Sequence, residues 1–239
     1  MQNNSEREII ESLDKLSVET NEIKHVKSKD KKKKKPKPGS KAAQLLKSKT
    51  DKSFTKPSAY IFDDILILYF SSSSDLKLAL MNVHIYYEKQ ELKGPLKGVN
   101  FPISVYNEWS SNITEFNEGE QLIHSIITSN KTKYLIAGLK GDQSTFLHEW
   151  AHAVYYSKDE YRELISKIYS GLDPALRQVI EKELLLRNYQ PSVFEDEFQA
   201  YVRENPADFG KKYTSYLSDI HQQLKKHVEF PKLSIPLDL

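Results

Sequence analysis

The sequence predicts an α+β domain, with a small mixed sheet in its first half and a helical second half, preceded by a disordered basic tail. Two observations carry the fold class. The segment Tyr60–Phe70 (YIFDDILILYF) is dense in β-branched and aromatic residues, which marks strand. After Gly141 the apolar residues fall instead at helical spacing through to the C-terminal region. Strands first and helices second make α+β rather than an alternating α/β sheet. A third observation sets the domain boundary. Residues 1–58 carry 16 Lys+Arg against 8 Asp+Glu, whereas residues 59–239 carry 19 against 25. The near-neutral whole is therefore a basic tail joined to an acidic domain.

Taken in order, Glu8–Leu16 places Ile9, Ile10, Leu13 and Leu16 at helical spacing, a short amphipathic helix unable to stand alone. Lys24–Lys56 holds 14 lysines, five of them consecutive from Lys31 to Lys35, followed by Pro36-Lys37-Pro38-Gly39. Such a stretch buries too little apolar surface to offset its ordering entropy, so disorder is expected. It reads as a solvated linker, a nuclear-localisation-like signal or a non-specific nucleic-acid arm. Few aromatic residues interrupt the lysines, so base stacking is not provided for. From Ala59 the folded domain begins. Tyr60–Phe70 is read as one strand, Ser71–Ser74 as a loop, and Leu76–Tyr87 as ambiguous between helix and strand. Val99–Tyr106 reads as an edge strand, because Pro102 cannot donate to a central ladder. Leu122–Ser129 and Lys133–Gly138 flank a polar turn and are expected to form a hairpin. Helices follow at 144–157, 159–169, 174–188, 192–204 and 207–228. Asp173-Pro174 caps the third of these, Ser192-Val193-Phe194-Glu195 has the form of a capping box, and Asn205-Pro206 ends the fourth.

Composition narrows the chemistry. The chain of 239 residues has no cysteine, which excludes disulfides, thiolate metal sites and cysteine nucleophiles. The first 30 residues lack the apolar core of a signal peptide. The longest apolar run, Ile65–Phe70, falls far short of the roughly 18 residues a membrane span needs. An intracellular protein, cytoplasmic or nuclear, with no membrane association is expected.

Phe146-Leu147-His148-Glu149-Trp150-Ala151-His152-Ala153-Val154 contains H-E-x-x-H. Four residues apart on a helix, His148 and His152 project from one face and can share one Zn²⁺. Glu149 lies beside the metal, placed to take a proton from a bound water whose pKa zinc lowers to about 7. The third ligand decides whether this is a site. A metzincin pattern needs Gly at 155 and His at 158, where this chain has Tyr155 and Lys158. A downstream histidine is limited to His221 or His227, near the terminus. Phe194-Glu195-Asp196-Glu197-Phe198-Gln199-Ala200-Tyr201-Val202 offers a carboxylate. Glu197 is the best placed, with small Ala200 allowing close helix approach and Tyr201 on the same face to support it. Glu195 and Asp196 remain alternatives.

HEWAH followed some 45 residues later by EFQAY resembles the gluzincin group of zinc metallopeptidases, within the zincin superfamily. Its nearest likeness is to the catalytic-domain family of anthrax lethal factor, whose ligand glutamate opens a motif of similar shape. The likeness covers Thr145–Val202. It implies a zincin-like fold, one Zn²⁺ held by His148, His152 and Glu197, and Glu149 as general base. Tyr201 stands where that pattern carries an acid, which leaves support of the ligands and substrate preference to be found elsewhere.

Peptide hydrolysis also needs a donor to the developing oxyanion. Tyr189, just before the ligand helix, is placed for this, with Tyr155 and Tyr156 as alternatives. Tyr134–Gly138 directly precedes the motif helix and is expected to be the edge strand that pairs with an extended substrate. The function expected is a zinc-dependent peptidase, an endopeptidase acting on peptide or protein substrates. The competing expectation is a nucleic-acid- or chromatin-associated binding protein with a catalytically silent zincin-like scaffold, contacting nucleic acid through Lys24–Lys56.

Overall fold

A computed structural model describes residues 53–89, 95–233 and 236–238. The expected helix at 8–16 and the lysine-rich stretch up to residue 52 lie outside the described residues. The folded unit runs from Ser53 to Leu239.

Within it, four strands form one sheet in the order β1-β2-β4-β3. Strand β1 (Ser58–Phe62) pairs antiparallel with β2 (Ile65–Phe70). Strand β2 runs parallel to β4 (Tyr134–Leu139), and β4 pairs antiparallel with β3 (Gly98–Pro102). The sheet is therefore mixed and precedes a mostly helical C-terminal half, as expected. Helices α1 (Ser73–Glu88), α2 (Ile103–Ser111) and α3 (Glu118–Ser129) come before β4. Helices α4 (Gln143–Ser157), α5 (Asp159–Ser170), α6 (Pro174–Leu186), α7 (Phe194–Glu204) and α8 (Thr214–His227) follow it.

Strand periodicity of two divides the core between the faces of the sheet. Ile65, Ile67, Tyr134 and Ile136 point into one cluster with Phe146, Trp150, Ile165, Ile180, Phe198 and Leu224 of the C-terminal helices. Leu66, Leu68, Phe70, Leu135 and Ala137 point the other way, into a cluster with Leu80 of α1, Tyr106 of α2 and Ile123 of α3. Burial on both faces explains why β2 is continuously apolar rather than alternating.

Several expected elements are corrected. The run Tyr60–Phe70 is two strands, not one. Asp63 turns the chain with φ of 53°, a left-handed conformation that Asp tolerates better than most residues. The expected loop Ser71–Ser74 is only Ser71 and Ser72, because Ser72 caps α1 by accepting from the Asp75 amide at 3.2 Å and the helix begins at Ser73. Leu122–Ser129 is helix rather than half of a hairpin. Its buried Ile123, Ile126 and Ile127 lie at helical spacing, and Asn117 with Glu120 closes a capping box. The expected strand Val99–Tyr106 stops at Pro102, after which α2 begins. The Ser192–Glu195 capping box does not form, since neither the 3-10 turn Pro191–Val193 nor α7 has a side-chain cap. The last helix starts at Thr214, not 207. Strand β4 is central rather than at an edge. The edge next to the motif helix is β3, where Pro102 is accommodated.

Candidate metal centre

Two helices packed against each other build the centre. Strand β4 leads through a turn at Gly141 (φ 93°) to Asp142, whose carboxylate accepts from the Thr145 amide and starts α4. The middle of α4 is buried, through Phe146, Glu149, Trp150, Ala151, His152, Ala153 and Val154. The Trp150 indole donates to the Glu229 carbonyl at 3.1 Å, which fastens the chain after α8 over it. Helix α7 packs alongside with Phe198, Ala200 and Val202 fully buried. Because α7 begins at Phe194, Glu197 lies in its first turn rather than mid-helix, where the helix dipole favours negative charge.

His148, His152 and Glu197 converge, each offering one donor atom within 4.8 Å of the others, and this group can hold a metal ion. Nε2 of His148 is 3.8 Å from Oε2 of Glu197, and Nε2 of His152 is 3.7 Å from Oε1. Donors 2.0–2.2 Å from a tetrahedral ion are spaced about 3.4 Å apart, so the group is slightly open relative to that geometry. The remaining ring nitrogens are tied outward. Nδ1 of His152 pairs with Asp196 at 2.8 Å, and Nδ1 of His148 pairs with Glu204 at 3.1 Å. A carboxylate can only accept, so Nδ1 carries a hydrogen in each pair, which leaves Nε2 as the nitrogen a cation would take. Oε2 of Glu197 is buried with no hydrogen-bond partner among the described residues. Such an atom is costly unless something satisfies it, and a cation at the centre would do so.

The electrostatics agree. Burial pushes the Glu197 carboxyl up to about 7, against the pull of His152 and His148. Burial opposes charge on His152, but Asp196, Glu197 and Glu149 around it raise its pKa to about 10. Without metal, the cluster therefore retains a proton that a cation would displace.

Glu149 is 8% exposed and turned toward β3. Its Oε2 accepts from the Asn100 amide at 2.6 Å, and Asn100 in turn accepts from the Tyr134 hydroxyl at 2.6 Å. A cavity of about 390 Å³ opens here, walled by His148, Glu149, His152 and Glu197, with Gly98 and Asn100 on the β3 side. Tyr189 lines it as well. Tyr201 lies edge-on to the His148 ring, 4.7 Å between centroids, and its hydroxyl is 3.1 Å from that of Tyr189. It thus braces His148 rather than the Glu197 carboxylate.

The alternatives are placed elsewhere. Glu195 accepts from Tyr155 at 3.1 Å, and Tyr156 packs against Tyr134. His221 pairs with the Val202 carbonyl at 2.9 Å, and the His227 ring lies near Tyr161. Asp196, weighed above only as a ligand, holds His152 instead. Asn100 carries no signal of its own in the sequence. For Glu204 a weak one exists: it follows Glu197 by seven residues, two helical turns on one face of α7. Comparison of the chain with family models, with curated proteins and with solved structures finds no match.

Proposed function

We propose that the protein is a zinc-dependent peptidase of the gluzincin type, with a zincin-like domain and Zn²⁺ held by His148, His152 and Glu197. The observation that carries this reading is the paired orientation of the histidines, each with Nδ1 on a carboxylate and Nε2 facing Glu197, beside a buried Glu149. Two imidazoles and one carboxylate suit zinc with a position left open, the ligand set of a catalytic rather than a structural site. Among the described residues, no helix is long and apolar enough to cross a membrane.

When bound, zinc would acidify a water and polarise the substrate carbonyl. The protein's own groups do the rest. Glu149 accepts the proton of the attacking water and delivers it to the leaving amine. Asn100 donates to Oε2 of Glu149, and Tyr134 fixes the Asn100 amide. Tyr189 donates to the oxyanion, its phenol kept protonated because burial raises its pKa far above the ordinary value. An extended substrate would lie along the outer edge of β3, unpaired among the described residues, which the cavity borders through Gly98, Val99 and Asn100.

The test is metal analysis of purified protein together with peptide-library cleavage. One zinc per chain is expected, lost in His148→Ala and kept in Glu149→Ala, with cleavage lost in both. Wild-type protein that binds no zinc would end the reading. Zinc bound without any cleavage would leave the silent scaffold instead.

A further inference from the structure

Beyond the chemistry at the metal group, the cavity has unequal ends. On the His148 side its walls carry two cations, Lys97 just before β3 and Arg187 at the end of α6. On the other side the cleft continues past His152 and Glu197 to Ser192 and Val193. Arg187 has one loose ion pair, with Asp208, and Lys97 acts through space on the Glu204 carboxylate, so neither is closed by a short bidentate partner. Lys97 is exposed and makes no ion pair among the described residues. Among the described residues the carboxylate paired with Arg187 is that of Asp208 at 3.8 Å, too far for the bidentate bond that would close the guanidinium. Arg187 is nevertheless held in place. It lies over the Tyr201 ring at 4.1 Å and donates to the Asp208 carbonyl at 3.2 Å. A guanidinium fixed by its stacking and one backbone bond keeps donors available to a carboxylate without a large ordering cost.

We infer that the Lys97–Arg187 end of the cavity is an anion subsite that selects substrates bearing a carboxylate beside the scissile bond. This rests on the peptidase reading above and names its substrate class. The carboxylate has two sources, an Asp or Glu side chain within the substrate or the free C-terminus of the chain. The continuation of the cleft past His152 and Glu197 leaves room for substrate on both sides of the centre, which favours the internal side chain.

Three sets of peptides separate the cases: internal acids with amidated C-termini, neutral peptides with free C-termini, and neutral amidated peptides. The wild type should favour the first set. Arg187→Gln should lower the acidic-to-neutral ratio of kcat/KM by about 10- to 100-fold, the value of a charge-assisted bond. Lys97→Gln, at an exposed position that leaves Tyr201 and Asp208 untouched, should lower the same ratio by a smaller factor. Binding of the acidic peptides to zinc-loaded Glu149→Ala protein, read by fluorescence anisotropy, should weaken in parallel. Preference for neutral peptides with free C-termini would place the chain end, not a side chain, in the subsite and overturn the internal-acid assignment. Cleavage without acidic preference, or a preference that both variants leave intact, would overturn the subsite while leaving the peptidase standing. Absence of cleavage in all three sets would remove the reading beneath it.

Discussion

Nδ1 of His152 lies 2.8 Å from Oδ1 of Asp196, and the residue after Asp196 is Glu197, whose carboxylate stands 3.7 Å from the opposite nitrogen of the same ring. One turn of α7 therefore grips His152 from both sides. Asp196 is itself held, since the Gln199 amide donates to it at 2.9 Å and the buried Tyr161 hydroxyl donates to Gln199 at 2.8 Å. A part-buried network of this kind fixes the orientation of the ring before any ion arrives.

The first prediction follows from that arrangement. Asp196→Asn and Glu204→Gln should each weaken zinc binding by about 10- to 100-fold, the usual cost of removing a carboxylate that orients a histidine ligand. Competition with a zinc-chelating dye gives the constants. Affinity unchanged in both variants would mean that the outward bonds do not set the ligands. Because a cation must displace the proton held by the cluster, uptake should also weaken as pH falls.

A second prediction concerns Gly98. A Cβ at this position would stand 2.2 Å from Oε1 of Glu149 and 2.5 Å from Cγ2 of Thr145. The obstructed atoms are ends of side chains, so the fold can absorb an alanine by moving them. Glu149 would then leave its bond to Asn100. Gly98→Ala should keep its zinc and its melting temperature within a few degrees, yet lose about 10²-fold or more in kcat, as expected for a displaced proton acceptor. An alanine variant with wild-type kcat would show that Glu149 does not need this position.

How much of this was legible beforehand depends on sequence distance. His148, Glu149 and His152 stand on one helix, so their relation is local and the periodicity of α4 reveals it. Glu197 required only that a second helix pack nearby, and small Ala200 marked where. Asn100, 49 residues from Glu149, arrives through the β3–β4 register, which no local pattern encodes. The same limit explains the misplaced edge. Tyr134–Gly138 precedes the motif helix in sequence, but the β2-to-β4 crossover puts it in the middle of the sheet. Leu122–Ser129 misled for a different reason. Ile-rich segments have high β-propensity, which the capping box and the packing of Ile123, Ile126 and Ile127 override. The hairpin turn was marked by the polar pair Asp63-Asp64 between two apolar runs, which reading Tyr60–Phe70 as one strand passed over.

The tyrosine pair supplies a third prediction. Tyr189 and Tyr201 share a hydroxyl contact of 3.1 Å, and Tyr201 lies against both His148 and Arg187. Tyr189→Phe should lower kcat by about 10²- to 10³-fold, the cost of one oxyanion donor, with zinc content unchanged. Tyr201→Phe removes only the partner hydroxyl and should cost less. Equal losses in the two variants would mean that the pair acts as a packing unit.

His84 gives the fourth, a dependence of stability on pH. Its Nδ1 is buried without a hydrogen-bond partner among the described residues, and burial holds its pKa below the ordinary 6.5 in the folded protein. Above 6.5 the imidazole is neutral in both folded and unfolded chains and contributes no pH dependence. Below that value the unfolded chain takes up a proton that folded His84 refuses, so the unfolded state gains and stability falls. The loss begins near 6.5 and continues until the folded pKa is reached. Replacing the imidazole by an apolar side chain removes this linkage together with the unsatisfied nitrogen. Urea midpoints measured from about pH 8 down to about pH 5 should therefore fall less steeply for His84→Leu than for the wild type. Parallel profiles would show that His84 takes up its proton as readily in the folded protein as in the unfolded chain.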